Sequence, residues 1–358
     1  MSETKADRVP LRQRLAPVLE YGRRLLPVVS FATGVASALL MERHYGRLPL
    51  LLGVLFGAWL TVGLLLAWRG RSEPSPRGRL AAVRYGALVV AQSTVQQVLF
   101  FVLPFYFQSA TFWSPNVAFV ALLALAALVT LIDPAFFYLA ERPLLFIALI
   151  AIDNLAALNF ALPVVLGLRN NLSLHLSLLL TVMLVVPLAA ITVRGQWRPR
   201  IRLWVAAAIG GSALLAVAIW LLDLQLLIPP APLRLVDGRI AEGVVEREPL
   251  RPATWFAPSG DGPDRLYCFT AIAAPRGLDE QIVHLWSYGG QVKSRVELSR
   301  ISGGREQGFR TWSAHGGFLR APAGRWRCEV RTAGNQIIGR VEFEIGAPAS
   351  GESRAGIE

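Results

Sequence analysis

Between residues 27 and 228 one apolar stretch follows another. Many approach the roughly 20 residues that a helix needs to cross the hydrocarbon core of a bilayer. Nothing else in the sequence constrains the fold as strongly. Seven segments come close to that length: 25–41, 48–68, 85–107, 115–132, 143–166, 172–193 and 203–226. The chain is 54% hydrophobic and 17% charged, a departure from soluble averages toward membrane proteins. The first segment is short, follows Arg23 and Arg24, and contains Ala36-Ser37-Ala38, which also fits a signal-peptide cleavage site. Cleaved or retained, it delivers residue 42 to the outer face.

Basic residues orient this bundle. Lys5, Arg8, Arg12, Arg14, Arg23 and Arg24 precede the first segment, and Arg69, Arg71, Arg77, Arg79 and Arg84 follow the second. Arg142, Arg194, Arg198, Arg200 and Arg202 fall on the same side, against only Arg43, Arg47 and Arg169 on the other. Cytoplasmic loops carry the excess of lysine and arginine. The basic N-terminus, residues 1–24, is therefore expected inside, and an odd number of crossings places everything after residue 228 outside. The net charge of +12 is accounted for by these loops. It forms no basic face with interleaved aromatics, so nucleic acid is not an expected partner; the lipid bilayer is.

A charge at mid-bilayer costs about 2.5 to 3.5 kcal/mol on insertion scales, so Asp153, halfway along the fifth segment beside Asn154 and near Asn159, needs a partner or a purpose. Helical rise puts Gln92, Gln96 and Gln97 of the third segment at similar depth. Gln92 and Gln96 lie one turn apart on one face. A midplane cluster of Gln92, Gln96, Asp153 and Asn154 follows, acting either as hydrogen-bonded glue between helices or as a pathway for a solute, ion or proton. His175 is too near the outer end of its segment to relay to Asp153.

Past the spacer 229–234, where Pro229, Pro230 and Pro232 favour an extended path, the hydrophobic period changes to two. "RWRCEVRT" and "RVEFEI" alternate between buried and wet positions. Seven strands are expected: 239–247, 265–273, 281–288, 291–300, 308–313, 324–332 and 336–345. They make residues 235–346 a β-sandwich, with a disordered tail at 347–358. The expected fold is thus an α-helical membrane bundle of about seven spans followed by an all-β immunoglobulin-like sandwich. Cys268, Trp286 and Cys328 fall in the second, third and sixth strands, the Cys-Trp-Cys order of such sandwiches. An oxidising compartment permits a disulfide; two buried thiols are the alternative.

In "HLWSYGG" (284–290), His284, Trp286 and Tyr288 share one strand face, and Gly289-Gly290 is a hairpin turn. If Trp286 is core, His284 points inward too. Otherwise His284, Trp286, Arg310 and Trp312 are binding candidates, and Trp255, Phe256, Tyr267, Phe309 and Trp312 are aromatics either for a sugar or protein surface or, the leading reading, for the sandwich core. His284 and His315 with two distant cysteines lack zinc spacing, so no metal is expected. Ser287 or Ser313 beside His284 could form a dyad, but no nucleophile elbow or phosphate loop accompanies them. No cofactor motif is present, and the reading leans away from catalysis.

The motifs "REPLRPATWF", "LYCFTAI", "IVHLWSYGG", "GFRTWS", "AGRWRCEV" and "IIGRVEFEI", in that order, resemble a family of uncharacterised bacterial multi-span membrane proteins with a C-terminal domain of unknown function. "PVVSFATGVASALLMER" extends the resemblance loosely into the membrane part. The resemblance implies a bacterial envelope location, with the C-terminal domain periplasmic, and supplies no activity or site residue. The expectation is a multi-pass inner-membrane protein whose sandwich binds an envelope protein or glycan without catalysis; a transporter or channel using the Asp153 region is the alternative.

Overall fold

The computed structural model describes residues 79–194, 224–257, 263–305 and 307–346, with three isolated positions ahead of them. The expected spans 25–41 and 48–68, nearly all of 203–226, the N-terminus 1–24 and the tail 347–358 lie outside the described residues.

Among the described residues the first region holds five helices: α1 (Arg79–Ser109), α2 (Asn116–Leu131), α3 (Asp133–Glu141), α4 (Pro143–Leu166) and α5 (Asn170–Arg194). Two helical stretches are long and apolar enough to cross a membrane, Gly86–Ser109 and Pro143–Leu166. A third crossing exists only if α2 and α3, bent by 100° at their junction, count as one broken span. The described residues therefore support two or three spans, and seven are not supported. In α5 the apolar part, Asn170–Val186, is shorter than a span.

The break after α2 has a chemical origin in Asp133-Pro134. In a continuous helix the N–H of residue 134 would bond the carbonyl of Thr130, but proline has no N–H and its ring clashes with that carbonyl. Ile132 turns extended instead (φ −96°, ψ 98°). Gln92 of α1 fills the gap, its Nε2 donating to Thr130 C=O and to Asp133 Oδ1, each at 2.9 Å. The side of the bundle facing other helices packs Leu99, Phe101, Tyr106, Leu123, Phe136, Ile150 and Phe160. Leu122, Leu125, Leu128, Leu145, Leu179 and Met183 face outward, exposed. An apolar outer surface of this extent on helices fits a lipid-facing wall.

The second region is all-β. Its described residues form nine strands, β1 (Arg234–Val245), β2 (Glu248–Pro252), β3 (Trp255–Phe256), β4 (Arg265–Ala273), β5 (Asp279–Tyr288), β6 (Gln291–Ser302), β7 (Phe309–Gly316), β8 (Gly324–Thr332) and β9 (Ile337–Ile345). They form two sheets, ordered β2-β1-β4-β7 and β3-β9-β8-β5-β6. The seven expected strands are all present, and the two additional ones are short. Pro249 and Pro252 remove backbone donors and confine β2 to a sheet edge. Gly289 and Gly290 both have positive φ, 56° and 81°, as the two-residue β5–β6 turn requires. Side chains from both sheets share a core of Ile240, Leu266, Cys268, Trp286, Trp326, Cys328 and Phe343.

The spacer is not extended. Residues 228–233 turn back through hydrogen bonds from Ala231 N to Pro229 O (2.8 Å) and from Leu233 N to Pro230 O (2.7 Å), and Ile228, Ala231 and Leu233 are buried. Burial between the two regions outweighs the polyproline preference of the three prolines.

Candidate functional site

The binding candidates separate onto opposite faces of the β4-β7 sheet. Because side chains alternate along a strand, Thr270, Thr311 and Ser313 point into the core with Cys268, while Phe269, Arg310 and Trp312 point away from it.

On the inner face, Cys268 of β4 and Cys328 of β8 are joined by a disulfide that links the two sheets, with Cα atoms 6.6 Å apart. Trp286 lies directly across from Cys328 in the β5–β8 register and is fully buried. Beside it, His284 Nδ1 meets Ser313 Oγ at 2.9 Å and His284 Nε2 meets Thr270 Oγ1 at 3.2 Å. Trp286 Nε1 donates to the same Ser313 Oγ at 3.0 Å, and Thr270 Oγ1 donates to Thr311 C=O at 3.2 Å. These partners fix the protons. Thr270 gives its hydroxyl proton to a carbonyl, so it accepts from His284 Nε2–H. Ser313 accepts from the indole, so its own proton goes to His284 Nδ1. Every group is satisfied with a neutral imidazole.

Burial, which opposes the charged form, pulls His284 down to about 3. His284 and Ser313 are 0% and 3% exposed, so the dyad is sealed within the core. Burial also lowers His315, whose ring stacks on Trp286 with centroids 5.5 Å apart. Cys268, His284 and Cys328 have potential ligand atoms within 4.8 Å of one another. Both sulfurs are committed to the disulfide, however, and both imidazole nitrogens to hydroxyls, so the trio does not fit a metal. Ser287 lies apart from this network, its Oγ pointing to Arg327 C=O.

On the outer face, Phe269 is flanked by Arg239 of β1 and Trp312 of β7 in the strand register. Trp312 is exposed and Phe269 buried. Arg310 pairs with Glu248 of β2 at 2.5 Å, and Arg239 with Asp237 at 3.1 Å. Of the candidate aromatic and histidine side chains named for binding, Trp312 is thus on the accessible face, with Arg310 beside it, while His284 and Trp286 are sealed inside. The alternation rule could have separated Arg310 and Trp312 from Ser313. It did not do so for His284 and Trp286, because β5 is buried on both faces from Ile282 to Trp286 and its pattern leaves the inward side open.

In the helical region, Asp153 is 1% exposed and its Oδ1 has no hydrogen-bond partner. Asn154 donates through Nδ2 to Thr181 Oγ1 of α5 at 2.8 Å, and Asn159 through Nδ2 to the Tyr106 hydroxyl at 2.9 Å. No hydrogen bond joins Gln92 to Asp153: Gln92 serves the α2–α3 break. Gln96 is 1% exposed.

A polar seam that the sequence did not reveal joins the two regions. Asn116 Nδ2, at the start of α2, donates to Ile337 C=O at 3.3 Å, and Arg340 Nη1 to Trp113 C=O at 3.3 Å. Asn170 N–H, at the start of α5, donates to Glu280 Oε2 at 2.7 Å. The linker is clasped from both sides, by Asn170 Nδ2 on Pro230 C=O (2.9 Å) and Gln336 Nε2 on Ile228 C=O (3.1 Å). Behind the Arg340 contact, Glu329 accepts from Arg331 and Arg340 together. Burial opposes the charge of Glu329, but both guanidiniums outweigh it and hold the carboxyl below its ordinary value.

Residues 279–345 match the model of a protein of unknown function, DUF2914, and residues 7–257 that of a family of unknown function, DUF5924. The gap between the matches falls inside the two-sheet region, between β3 and β5. No curated protein matches the chain. Among solved structures, the Pseudomonas fluorescens alkylpurine DNA glycosylase AlkC bound to DNA containing an abasic site analog is similar at 11% identity over 81% of this chain and 98% of that one. Its TM-score of 0.24 is too low for the likeness to carry any inference. The longer family match covers well over half of the sequence, and the chain belongs to the DUF5924 family.

Proposed function

We propose that this is a multi-pass protein of a bacterial inner membrane, with a cytoplasmic N-terminus and a periplasmic immunoglobulin-like domain that binds an envelope protein or glycan without catalysis. The observation that carries the reading is the division of the β4-β7 sheet: the histidine and serine that could do chemistry are sealed inside, and Trp312 with Arg310 is presented outside. The sheet order, with β1-β4-β7 facing β9-β8-β5-β6 across a Cys268–Cys328 bridge beside Trp286, supports the immunoglobulin-like assignment.

Sidedness is supported by the seam. Among the described residues, the hydrogen bonds between the β-domain and the helices fall at the helix ends next to the arginine-poor loops, at Gln108, Trp113, Asn116 and Asn170, while Arg142 lies at the opposite end. Phe107, Phe112 and Trp113 are exposed at the domain-facing end, where aromatic side chains suit a headgroup layer. The test is binding of the full-length protein in nanodiscs to purified cell-wall glycan in one arm and to solubilised envelope proteins in the other. Trp312→Ala should weaken one arm with the fold intact. Equal binding by wild type and variant in both arms would overturn the reading.

A second reading, a pathway for an ion or proton, rests on Asp153, buried with an unpartnered carboxyl oxygen. It predicts flux in proteoliposomes that Asp153→Asn abolishes while folding is preserved.

A further inference from the structure

Trp113 stands in the connection from α1 to α2 with φ at 64°. For a bulky side chain this left-handed conformation is a genuine outlier, and such strain persists only where the surroundings impose it. Here hydrogen bonds do so. Thr111 N–H and the Ser114 hydroxyl both donate to Asn116 Oδ1, at 3.2 and 2.6 Å, and the Trp113 carbonyl receives Arg340 Nη1 of β9 at 3.3 Å. The strained residue adds no packing in return, since it is 96% exposed. Glycine would take the same turn without strain.

The surroundings of the indole identify what it meets. Phe112 is exposed beside it and packs edge-on against exposed Phe107 of α1, with ring centroids 6.1 Å apart. Leu122, Leu125 and Leu128 continue this apolar surface along α2. Residues 85–132 include no Asp, Glu, Lys or Arg, so no charge in the connection or in α2 opposes contact with lipid. Helix α2 has 16 residues, about 24 Å at 1.5 Å per residue. At its far end the chain bends by 100° into α3, where exposed Tyr138 carries the Arg142 guanidinium 3.9 Å from its ring centroid. With the connection added, the exposed aromatics at the two ends bracket a length close to the roughly 30 Å of a bilayer's hydrocarbon core. Tryptophan and tyrosine favour the two boundaries of that core.

We propose, resting on the multi-pass reading with this end of the helices outside, that residues 110–115 are an outer-leaflet anchor whose Trp113 and Phe112 enter the boundary between phospholipid headgroups and acyl chains. The strained backbone aims the indole outward, and the bilayer supplies the contact that the chain does not. The same loop is fixed to β9 by the Arg340 bond and by Asn116 Nδ2, which donates to Ile337 C=O at 3.3 Å. Lipid contact and β-domain docking therefore share one support.

The test is tryptophan emission of the full-length protein in nanodiscs of phosphatidylcholine brominated either near the glycerol or near the chain ends. Subtracting the emission of Trp113→Gly from that of the wild type isolates Trp113. The difference should be blue-shifted from an indole in water and quenched several-fold more by the shallow bromines than by the deep ones. Trp113→Asn, whose side chain also tolerates positive φ, should give the same difference. Leu125→Trp, within α2, is the depth control, and its added emission should be quenched chiefly by the deep bromines. Trp113→Gly should melt no lower than the wild type, because it removes strain and no packing. Water-like Trp113 emission insensitive to both lipids, beside a Leu125→Trp signal quenched by the deep bromines, would overturn the anchor and leave the membrane reading standing. A Leu125→Trp signal that neither lipid quenches would overturn both. A marked loss of stability in Trp113→Gly and Trp113→Asn alike would also overturn the anchor, since the indole would then belong to the fold.

Discussion

Replacing Ser313 by alanine separates a structural network from a catalytic dyad. The Ser313 hydroxyl accepts from Trp286 Nε1 and donates to His284 Nδ1, at 3.0 and 2.9 Å, and both partners are fully buried. Its loss leaves a buried donor and a buried acceptor unpaired, each costing about 1 to 3 kcal/mol. A total of about 3 kcal/mol should lower the midpoint of the β-domain's thermal transition by on the order of 10 °C, given about 4 °C per kcal/mol near this size. The readout is intrinsic tryptophan fluorescence of the full-length protein during heating. Ser287→Ala is the control: that hydroxyl makes one long contact, to Arg327 C=O at 3.5 Å, and its loss should cost under about 0.5 kcal/mol. A Ser313→Ala protein as stable as the control would refute the network, and with it the sealed, neutral His284.

Other outcomes follow from the same geometry. His284 titrates near 3 when folded and near 6.5 when free, so stability should be complete above about pH 6.5 and fall by about 1.4 kcal/mol per unit as pH drops through that window. A flat profile from pH 6.5 down to about 4 would contradict the burial argument. Alkylation of the unreduced protein should find no free thiol, and Cys328→Ala should cost about 4 kcal/mol for a 60-residue loop, read by denaturant titration. Glu329→Gln leaves Arg331 and Arg340 without their shared carboxylate and should destabilise by about 3 kcal/mol, whereas Glu342→Gln, at an exposed pair, should have little effect. Topology reporters fused at Ser75, Ala110, Gln196 and Ile240 should read in, out, in, out.

The period-two alternation of "RWRCEVRT" and "RVEFEI" located β8 and β9 because one face of each is buried and the other wet, and Cys268, Trp286 and Cys328 marked where the sheets meet. Helix ends were less legible. An apolar count runs straight through residues 115–132, whereas the chain bends after it because Asp133-Pro134 denies Thr130 its bond. The β2 strand hid behind Pro249 and Pro252, and the linker's prolines suggested an extended spacer that burial folds into a turn. The seam was invisible for a different reason. Asn116, Asn170, Glu280 and Gln336 are ordinary polar residues with no motif or period, distant in sequence, and only the docked arrangement shows that they are buried together.

The capping of α5 by Glu280 also bears on how the chain is built. The carboxylate lies 110 residues downstream of the N–H it receives, and at about 5 to 20 residues per second it leaves the ribosome about 6 to 22 s after Asn170 does. Throughout that interval the first turn of α5 stands with open backbone donors, so this helix end is completed last, and only a chain whose β-domain has already folded can finish it.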